Sequence, residues 1–477
     1  MGIISKNNDD TVTIKESILD ALKQVKDPDL GRDIVSLGFV KEVETKGEDV
    51  SLTIELTTPA CPVRDEMREE ARRTLLSLPG IRNVEIRMTS RVRSPNLESP
   101  TRDLAPRVKN IIPIASGKGG VGKSTVSANL AVALSKLGAR VGLADMDVYG
   151  PSIPLLMGKR ESPTQENGKI LPVKAYGVKL ISMGFFLSRE DAVIWRGPML
   201  SKTVEQFLGA VDWGDLDYLV VDLPPGTGDV QLSLCQRIPL TGSAIVSTPQ
   251  DVALHVAEKA IRMFEKLHTP ILGLIENMSG FICPHCGHRE EIFGTGGARR
   301  YCQDQDIPFL GDIPLSTDVR STSDSGTPIV ISSPDSDSAK AFLHVAKNLA
   351  AQVSIRNVGI VERDVRTEPK EISSGQNGIP RTQVRILWKD GHESLYSARY
   401  LRLNCKCASC INEISGEKRL RDSSIPKDIY SLSLNPVGRY AYQFRFSDGH
   451  NTGIYTYEHL REICPCDNCK SQIPSTK

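Results

Sequence analysis

Eight of the eleven cysteines stand in closely spaced groups, and the remaining three are solitary. Cysteines two or three positions apart usually share a metal ion, whereas disulfide frameworks distribute their cysteines over distant loops. We therefore expect at least one group to bind metal. The groups are Cys283/Cys286, Cys405/Cys407/Cys410 and Cys464/Cys466/Cys469. The solitary cysteines are Cys61, Cys235 and Cys302.

A second chemically distinctive segment is rich in glycine and lysine, and it fits the phosphate-binding pattern G-x-x-x-x-G-K-[ST]. An apolar run precedes it and a helical pattern follows, which is the context that a P-loop requires. Backbone N–H groups of such a loop surround phosphate oxygens, and the next helix directs its positive end at them. We expect Lys123 to neutralise phosphate charge and Ser124 to bind Mg²⁺. The segment reads Gly117-Lys118-Gly119-Gly120-Val121-Gly122-Lys123-Ser124-Thr125.

Three aspartates at the ends of apolar runs complete the predicted nucleotide site. Asp145 and Asp147 directly follow one such run, and Asp222 ends another in LDYLVVDLPPGTGD. Ligands of open α/β sheets bind at the carboxyl ends of the strands, so these carboxylates are expected near bound Mg²⁺. Asp222 alone is weak evidence, because an aspartate after a strand is often a helix cap. Residues 224–226, Pro-Pro-Gly, are expected to form a γ-phosphate-sensing switch loop.

The elements that must position these residues fall into three segments. Five short apolar runs alternate with helical patterns and predict a parallel sheet wrapped by helices, an α/β core of the P-loop NTPase class. The predicted strands are Ile111–Ala115, Val141–Ala144, Tyr218–Val221, Ala244–Ser247 and Ile271–Ile275. Alternating strands and helices before it predict a small α+β domain, and a β-rich metal-binding domain follows it. The predicted boundaries are 11–90 for the small domain, 91–108 for a linker, 109–352 for the ATPase, 353–380 for a second linker and 381–469 for the β-rich domain.

Two similar hairpin signals mark the β-rich domain: WKDGHES from Trp388 and FSDGHNT from Phe446. Each has an Asp-Gly turn, a strong hairpin cue. No longer repeat is apparent from the sequence.

Charge and composition exclude several classes of protein. Lysine and arginine number 59 against 58 acidic residues, so no basic surface for nucleic acid or membrane is expected. No apolar run approaches the length of a membrane span. The first ten residues, MGIISKNNDD, have neither a signal core nor an Arg- and Ser-rich transit character. We therefore expect a cytoplasmic protein.

The motifs together resemble the Mrp/ApbC/Ind1 branch of P-loop iron–sulfur cluster carrier ATPases. The similarity rests on GKGGVGKST, DMDVYGPS, WRGPM, DYLVVDLPPGTGD, STPQDVAL and ENMSGF. The small domain, with DPDLGRDIVSLGFV and LTTPACPV, resembles SufT and PaaD-like maturation factors. The order of domains resembles that of the plastid high-chlorophyll-fluorescence cluster carriers of plants. A plastid protein would need a transit peptide, so a bacterial relative or a mature stromal form is the better match.

This resemblance implies roles for single residues. The extra lysine, Lys118, marks the deviant P-loop group and would reach the partner subunit's nucleotide in an ATP-dependent homodimer. The lesser alternative for this lysine is a solvated surface charge. Asp147 would position or activate the attacking water, so the catalytic set is Lys118, Lys123 and Asp147. Asn277 would contact adenine. The implied nucleotide-binding residues are Gly117, Gly119, Gly120, Val121, Gly122, Lys123, Ser124, Thr125 and Asn277. The implied Mg²⁺-associated residues are Ser124, Asp145 and Asp222.

The resemblance also assigns the first cysteine pair. Cys283 and Cys286 cannot fill a four-ligand site alone, but two chains together supply four thiolates. In the family the matching cysteines bridge a [4Fe–4S] cluster between subunits. The rival hypothesis is zinc, because C-P-x-C-G is also a zinc-knuckle signature.

The β-rich domain resembles the N-terminal domain of γ-butyrobetaine hydroxylase, which implies a structural Zn²⁺ on Cys405, Cys407, Cys410 and His450. The plant plastid carriers lack these ligands. Cys464, Cys466 and Cys469 repeat the spacing without a familiar counterpart. They could form a second metal site, a docking point for an incoming cluster or a redox-labile tail. His459 is nearby, although a surface position explains it equally well.

Cys61 lies at a strand-to-helix junction, where N–H groups can lower the pKa of a thiol. In related small domains this cysteine takes part in cluster handling. The alternative is a half-buried small residue.

The predicted function is therefore an ATP hydrolase that carries a [4Fe–4S] cluster and transfers it to apo-proteins. The implied cofactors are ATP, Mg²⁺, the [4Fe–4S] cluster and Zn²⁺. The implied partners are a second copy, an upstream cluster donor and apo iron–sulfur proteins, without nucleic acid or membrane. Three alternatives stay open: a ParA/MinD-like positioning ATPase, a zinc-stabilised scaffold switched by nucleotide, and an insertase for nickel or another metal.

Overall fold

The chain forms two compact units, residues 1–357 and 358–477. The computed structural model describes residues 9–469 except for short gaps. The WRGPM motif at 195–199 and part of the first predicted linker lie outside the described residues. The gaps are 95–103, 187–206, 229–230, 236–237, 284–285, 376–377, 412–417, 438–440 and 467–468, and positions 227, 233, 239, 287, 368, 408 and 419.

Nine helices begin in the first unit as the structure describes it, and the last of them continues past its boundary at Asn357. Among the described residues they are α1 Asp9–Leu22, α2 Arg64–Leu76, α3 Lys123–Lys136, α4 Ile153–Leu156, α5 Asp251–Lys266, α6 Gly297–Gln305, α7 Thr317–Asp324, α8 Ile329–Ser332 and α9 Asp337–Thr367. Short 3₁₀ turns occur at Met183–Phe185 and, in the second unit, Asp422–Ser424.

The N-terminal region is a three-stranded sheet covered by two helices. A short antiparallel pair, β1 Lys26–Asp27 and β2 Arg32–Asp33, precedes the three strands of the sheet, which are β3 Val40–Lys46, β4 Asp49–Leu56 and β5 Asn83–Ser90. Strands β4 and β5 are parallel and α2 connects them. Met67, Ala71 and Leu75 recur every four residues of α2, so a single face of that helix is buried. This α+β arrangement positions Cys61 in the loop between β4 and α2.

A large, mainly parallel sheet forms the centre of the first unit. The strands of this region are β6 Val108–Ser116, β7 Val141–Asp145, β8 Gln165–Glu166, β9 Lys169–Ile170, β10 Val173–Ala175, β11 Val178–Ser182, β12 Leu216–Asp222, β13 Ser243–Ser247, β14 Ile271–Ile282, β15 Arg289–Glu290 and β16 Phe309–Leu315. The order in the large sheet is β10-β11-β7-β12-β6-β13-β14-β15, with β16 also pairing with β14, whereas β8 and β9 form a separate two-stranded sheet. The five predicted strands are all present and correspond to β6, β7, β12, β13 and β14, which confirms the α/β fold class.

Successive side chains of the central strands point to opposite faces of the sheet, and each face has its own hydrophobic core. In β6, Ile112 and Ile114 contribute to one core, whereas Ile111 and Ala115 contribute to the other. Two-sided burial explains why these strands appear in the sequence as continuous apolar runs. The polar residues at the strand ends are thereby held at one edge of a rigid sheet.

The N-terminal region packs on the sheet through the loop that precedes Cys61. Thr58 Oγ1 lies 3.0 Å from the Tyr218 hydroxyl, and both side chains are buried. Ala60 belongs to the same core as Ile112. Burial raises the pKa of Tyr218 above its ordinary value, so the phenol stays neutral and keeps its hydrogen bond.

The second unit contains two three-stranded antiparallel sheets of the same design. Each sheet is followed by a short helix and then by three cysteines. The prediction of no repeat longer than the hairpin signals was therefore wrong. The repeat is hard to see in the sequence, because the copies share the order of their secondary-structure elements more than they share residues. The elements are β17 Pro369–Ser373, β18 Gln383–Trp388, β19 Glu393–Ser397, α10 Ala398–Leu403, β20 Ser431–Val437, β21 Ala441–Phe446, β22 Ile454–Thr456 and α11 Tyr457–Glu462.

Within the described residues, no helix has both the length and the apolar character that crossing a bilayer requires.

Candidate functional site

The P-loop joins β6 to α3 at the carboxyl edge of the sheet. Gly122, the residue before α3, has φ 82°. A Cβ atom there would lie 2.3 Å from Asn277 Nδ2, so both the backbone and the neighbouring amide require glycine. Asn277 Nδ2 donates to the Val121 carbonyl at 2.8 Å, which ties β14 to the loop. The loop N–H groups and the start of α3 form an anion-binding geometry.

Asp222, at the end of β12, receives three side chains from α3. Lys123 Nζ donates to Asp222 Oδ1 at 2.7 Å, and Ser124 Oγ donates to Oδ2 at 2.6 Å. Ser127 Oγ lies 2.7 Å from Oδ1. Asp222 is fully buried, so the lysine compensates its charge where water does not. The arrangement holds together the two residues predicted to contact phosphate and Mg²⁺.

Asp145 and Asp222 end neighbouring strands in register with one another. Burial, and secondarily the charge of Asp222, raises the pKa of Asp145. Ser182 Oγ donates to Asp145 Oδ2 at 2.8 Å. Two carboxylates in a buried setting favour a cation, since the cation removes their mutual repulsion. This is a chemically suitable place for Mg²⁺.

Asp147 lies at the rim of the same site. Its Oδ1 accepts the backbone N–H groups of Tyr149 and Gly150, each at 3.2 Å. These contacts fix the carboxylate at a turn beside the P-loop. A cavity of about 310 Å³ opens between Asp147 and the P-loop, and its size suits the phosphates of a nucleotide. Its lining includes Lys118, Lys123, Ser124, Asp147, Ser152, Leu156 and Pro225.

Cys283 and Cys286 lie in the loop between β14 and β15. Phe281 and Ile282 pair with the two residues of β15, and the Cys283 N–H donates to the His288 carbonyl at 2.9 Å. Cys283 is half-buried and Cys286 is exposed. Among the described residues no third cysteine, histidine or carboxylate joins this pair to form a compact group. The pair therefore offers two thiolates at the surface of the first unit.

Four residues predicted as zinc ligands lie together in the second unit. Cys405, Cys407, Cys410 and His450 place their ligand atoms within 4.8 Å of one another. His450 Nε2 is 3.3, 3.7 and 4.0 Å from the three sulfurs in chain order. Arg402 donates to the Cys410 sulfur at 3.2 Å, a contact that favours the thiolate. The set fits a tetrahedral ion with no position left open for a reactant.

The terminal cysteines form a second group with a residue that the sequence reasoning missed. His392 joins Cys464, Cys466 and Cys469, again with all ligand atoms within 4.8 Å. The nearby His459 is not part of it, since its Nε2 lies 2.9 Å from the Asn404 carbonyl oxygen. The overlooked signal was the DGH triplet shared by the two hairpins, which marks His392 as the counterpart of His450.

Cys61 behaves differently from the expectation of a lowered pKa. Burial raises the pKa of its thiol to about 11, outweighing the hydrogen bond from the Val63 backbone, and Asp27 adds to the rise. The helix α2 starts only at Arg64, so its first turn does not compensate the lost hydration. In this structure Cys61 is a neutral, partly covered thiol.

Comparison with known families gives three matches along the chain. Residues 107–350 match the family described as NUBPL iron-transfer P-loop NTPase. Residues 15–88 match iron–sulfur cluster assembly protein, and residues 379–461 match the N-terminal part of γ-butyrobetaine hydroxylase-like proteins.

Named relatives agree with these matches. An iron–sulfur cluster carrier protein of Deinococcus radiodurans is 46% identical over 72% of this chain and 97% of its own length. The chloroplastic Fe–S cluster assembly factor HCF101 of Oryza sativa is 38% identical over 94% of this chain and 83% of its own. The iron–sulfur cluster transfer protein NUBPL of Dictyostelium discoideum is 51% identical over 52% of this chain and 78% of its own. With its P-loop, its paired strand-end aspartates and a match that covers half of its length, the chain belongs to the NUBPL-type iron-transfer P-loop NTPases.

Proposed function

We propose that this protein is an ATP-dependent carrier that binds a [4Fe–4S] cluster between two copies of the chain and transfers it to apo-proteins. One observation carries the proposal: β14 connects the nucleotide cavity to the cysteine loop. Asn277, in that strand, holds the P-loop carbonyl of Val121, and Cys283 follows the end of the strand. A change at the phosphates therefore has a short covalent and hydrogen-bonded route to the cluster ligands.

The chemistry of the ATPase site follows from its residues. Gly117 to Thr125 would cradle the phosphates, with Lys123 balancing their charge and Ser124 binding Mg²⁺. Asp145 and Asp222 would hold the hydrated ion. Asp147, fixed at the cavity rim, would position the attacking water. Lys118 lines the same cavity and would contact the nucleotide of the second copy.

Dimerisation completes both sites in this proposal. Two thiolates per chain leave a four-iron cluster short of ligands, and a two-fold axis supplies the missing pair from the same loop of the partner. An exposed Cys286 suits a cargo that must leave. Slow hydrolysis would suffice, because the nucleotide acts as a switch between retention and release.

The remaining segments would choose partners and stabilise the chain. We propose that Cys405, Cys407, Cys410 and His450 hold a structural Zn²⁺ that braces the second unit. An upstream cluster donor and apo iron–sulfur proteins are the proposed partners. The cytoplasm is the proposed compartment, with the plastid stroma as the alternative because relatives come from bacteria and chloroplasts.

A second candidate function has an observation in its favour. Two compact Cys₃His groups lie in one small unit, as a zinc-stabilised scaffold would have. In that case nucleotide would control only dimerisation, and Cys283 and Cys286 would bind zinc or nothing.

Anaerobic reconstitution distinguishes the two. The chain is supplied with iron and sulfide, examined by Mössbauer spectroscopy and mixed with an apo-protein that gains activity on receiving a [4Fe–4S] cluster. We expect a cluster signal and transfer from the wild type, and neither from Cys283→Ser/Cys286→Ser. Cys235→Ser is the matched control, because this half-buried cysteine lies outside the hairpin loop. Equal cluster content in all three proteins, or zinc alone in the wild type, would contradict the carrier proposal.

A further inference from the structure

The second unit is an internal duplication that extends beyond its hairpins. In each copy the backbone N–H of the histidine donates to the carboxylate of the turn aspartate, from His392 to Asp390 at 2.9 Å and from His450 to Asp448 at 3.0 Å. Backbone hydrogen bonds also close the two turns in the same way: the Trp388 N–H donates to the His392 carbonyl, and the Phe446 N–H donates to the His450 carbonyl. The helix after each hairpin begins with a hydroxyl cap. The two copies therefore share local geometry as well as element order.

Reciprocal contacts relate the two copies. Arg402, in α10, donates to Asp448 of the second hairpin at 2.8 Å. Arg461, in α11, donates to Asp390 of the first hairpin at the same distance. Each copy thus reaches into the turn of the other, as expected for a pseudo-two-fold arrangement.

A second reciprocal pair lies deeper in the unit. The Tyr396 hydroxyl donates to the Leu460 carbonyl at 2.6 Å, and the Tyr455 hydroxyl donates to the Leu401 carbonyl at 2.8 Å. Both tyrosines are fully buried, so these exchanged bonds fix the register between the copies.

Each metal-ligand group likewise combines residues of both copies. The first copy's cysteines, 405, 407 and 410, meet His450 of the second copy. The second copy's cysteines, 464, 466 and 469, meet His392 of the first copy. We propose that His392, Cys464, Cys466 and Cys469 bind a second structural Zn²⁺, and that the two ions cross-link the copies in opposite directions.

The distances fit a single tetrahedral ion. His392 Nε2 is 3.3, 3.6 and 3.6 Å from the sulfurs of Cys464, Cys466 and Cys469. Zinc–sulfur and zinc–nitrogen bonds of ordinary length give tetrahedron edges of about 3.6 Å between nitrogen and sulfur. A multi-iron cluster is larger than one ion and needs its ligands farther apart. The geometry therefore favours a mononuclear site over a landing point for a cluster.

Hydrogen bonds around the sulfurs support a permanent site. Ser394 Oγ lies 3.0 Å from Cys464 Sγ, and the Cys469 N–H donates to Cys466 Sγ at 3.3 Å. The burial of Cys464 argues against the hypothesis that these cysteines are a redox-labile tail. Such partners orient metal ligands and spread the thiolate charge.

Metal counting on the full chain tests the proposal. Cys283→Ser/Cys286→Ser serves as the parent, so that the hairpin loop contributes no thiolate, and Co²⁺ replaces Zn²⁺ as a visible probe. We expect about two Co²⁺ per chain with the absorption of tetrahedral sulfur-rich sites. Adding His392→Ala should reduce the count to about one, as should His450→Ala. His255→Ala, at an exposed position of α5, should keep two.

A conservative variant separates ligand loss from misfolding. His392→Cys retains four ligands, so it should bind two Co²⁺ with a shifted charge-transfer band. One Co²⁺ in the parent, or two Co²⁺ retained by His392→Ala and Cys466→Ser alike, would overturn the second site. Incorporation of iron and sulfide by the terminal cysteines in this parent would also overturn it.

Discussion

At the residue scale, the three groups around Asp222 give the nucleotide site its rigidity. Ser127 has no direct place in a P-loop pattern, yet its hydroxyl lies 2.7 Å from the carboxylate that would hold hydrated Mg²⁺. Such a contact orients the acid rather than the phosphate. Ser127 is therefore a positioning residue that the motif alone does not reveal.

Ser127→Ala should raise the Mg²⁺ concentration that ATP hydrolysis requires. Removing one hydrogen bond to a buried carboxylate costs about 1–2 kcal/mol, or roughly a five- to thirtyfold higher Mg²⁺ requirement. Magnesium titrations of ATPase activity provide the measurement. Ser127→Thr, which retains the hydroxyl, is the matched control. An unchanged titration for the alanine variant would show that Ser127 does not position Asp222.

Cys61 should react slowly with alkylating reagents below pH 9. A pKa of about 11 against an ordinary value of 9.0 leaves about 100-fold less thiolate in this range. Because the folded pKa is raised, the rate should increase with pH throughout the range 7–10. Mass spectrometry of iodoacetamide-treated protein measures it, with the exposed Cys286 as internal comparison. A plateau below pH 9 would contradict the assignment of a neutral thiol.

Residue-scale prediction from sequence worked where ligands are local. The P-loop and the cysteine groups were visible because their members are close in the chain. His392 was missed because 72 residues separate it from Cys464, and spacing carries no signal over that distance. The packing of the two copies against each other brings His392 and Cys464 together.

At the element scale, β14 is the longest strand among the described residues, and its pairing is irregular. Its pairing with β16 shifts register between Asn277 and Phe281, and Gly280 there has φ 69°. This irregular stretch lies between the P-loop contact of Asn277 and the cysteine loop. It is the segment through which nucleotide would affect the cluster.

Gly280→Ala should loosen the hairpin that carries the cysteines. The added Cβ would lie 2.7 Å from Arg289 Nε, and the left-handed backbone costs about 1–2 kcal/mol without glycine. We expect several-fold faster cluster loss with unchanged ATP affinity. Time courses of cluster absorbance in the presence of a chelator measure the rate of cluster loss, and nucleotide titrations measure the ATP affinity.

Gly47→Ala is the control for backbone strain. Gly47 has φ 63° and nothing within 4 Å of the added Cβ, and it lies in the turn between β3 and β4. Equal cluster lifetimes in the Gly280 variant and wild type would argue against the proposed role of β14.

Element prediction succeeded for the strands buried on both faces. Such strands form apolar runs that few other structures explain, and β7, β12 and β13 match their predicted positions within one or two residues. β16, FLGDIPL, was not predicted because glycine, aspartate and proline interrupt its apolar pattern. Its place in the sheet comes from pairing with β14, which is a tertiary effect.

At the scale of the whole molecule, the proposed function combines a nucleotide switch with a second unit braced by metal. Fold class and family were predictable because the motifs occur in a fixed order along the chain. The duplication of the second unit was not predicted, because the identities that its two copies share are dispersed. They are the DGH turn, one tyrosine (Tyr396 and Tyr455), a Leu-Arg step and the cysteine spacing.

In the proposed function, the [4Fe–4S] cluster bridges two chains through Cys283 and Cys286. Native mass spectrometry of anaerobically reconstituted protein can decide this claim, because it reports chain number and cluster content of the same particle. We predict the added mass of one [4Fe–4S] cluster on the dimer and none on the monomer, with the Cys283→Ser/Cys286→Ser variant free of cluster. A monomer that carries the cluster, or a variant dimer that keeps it, would contradict the claim.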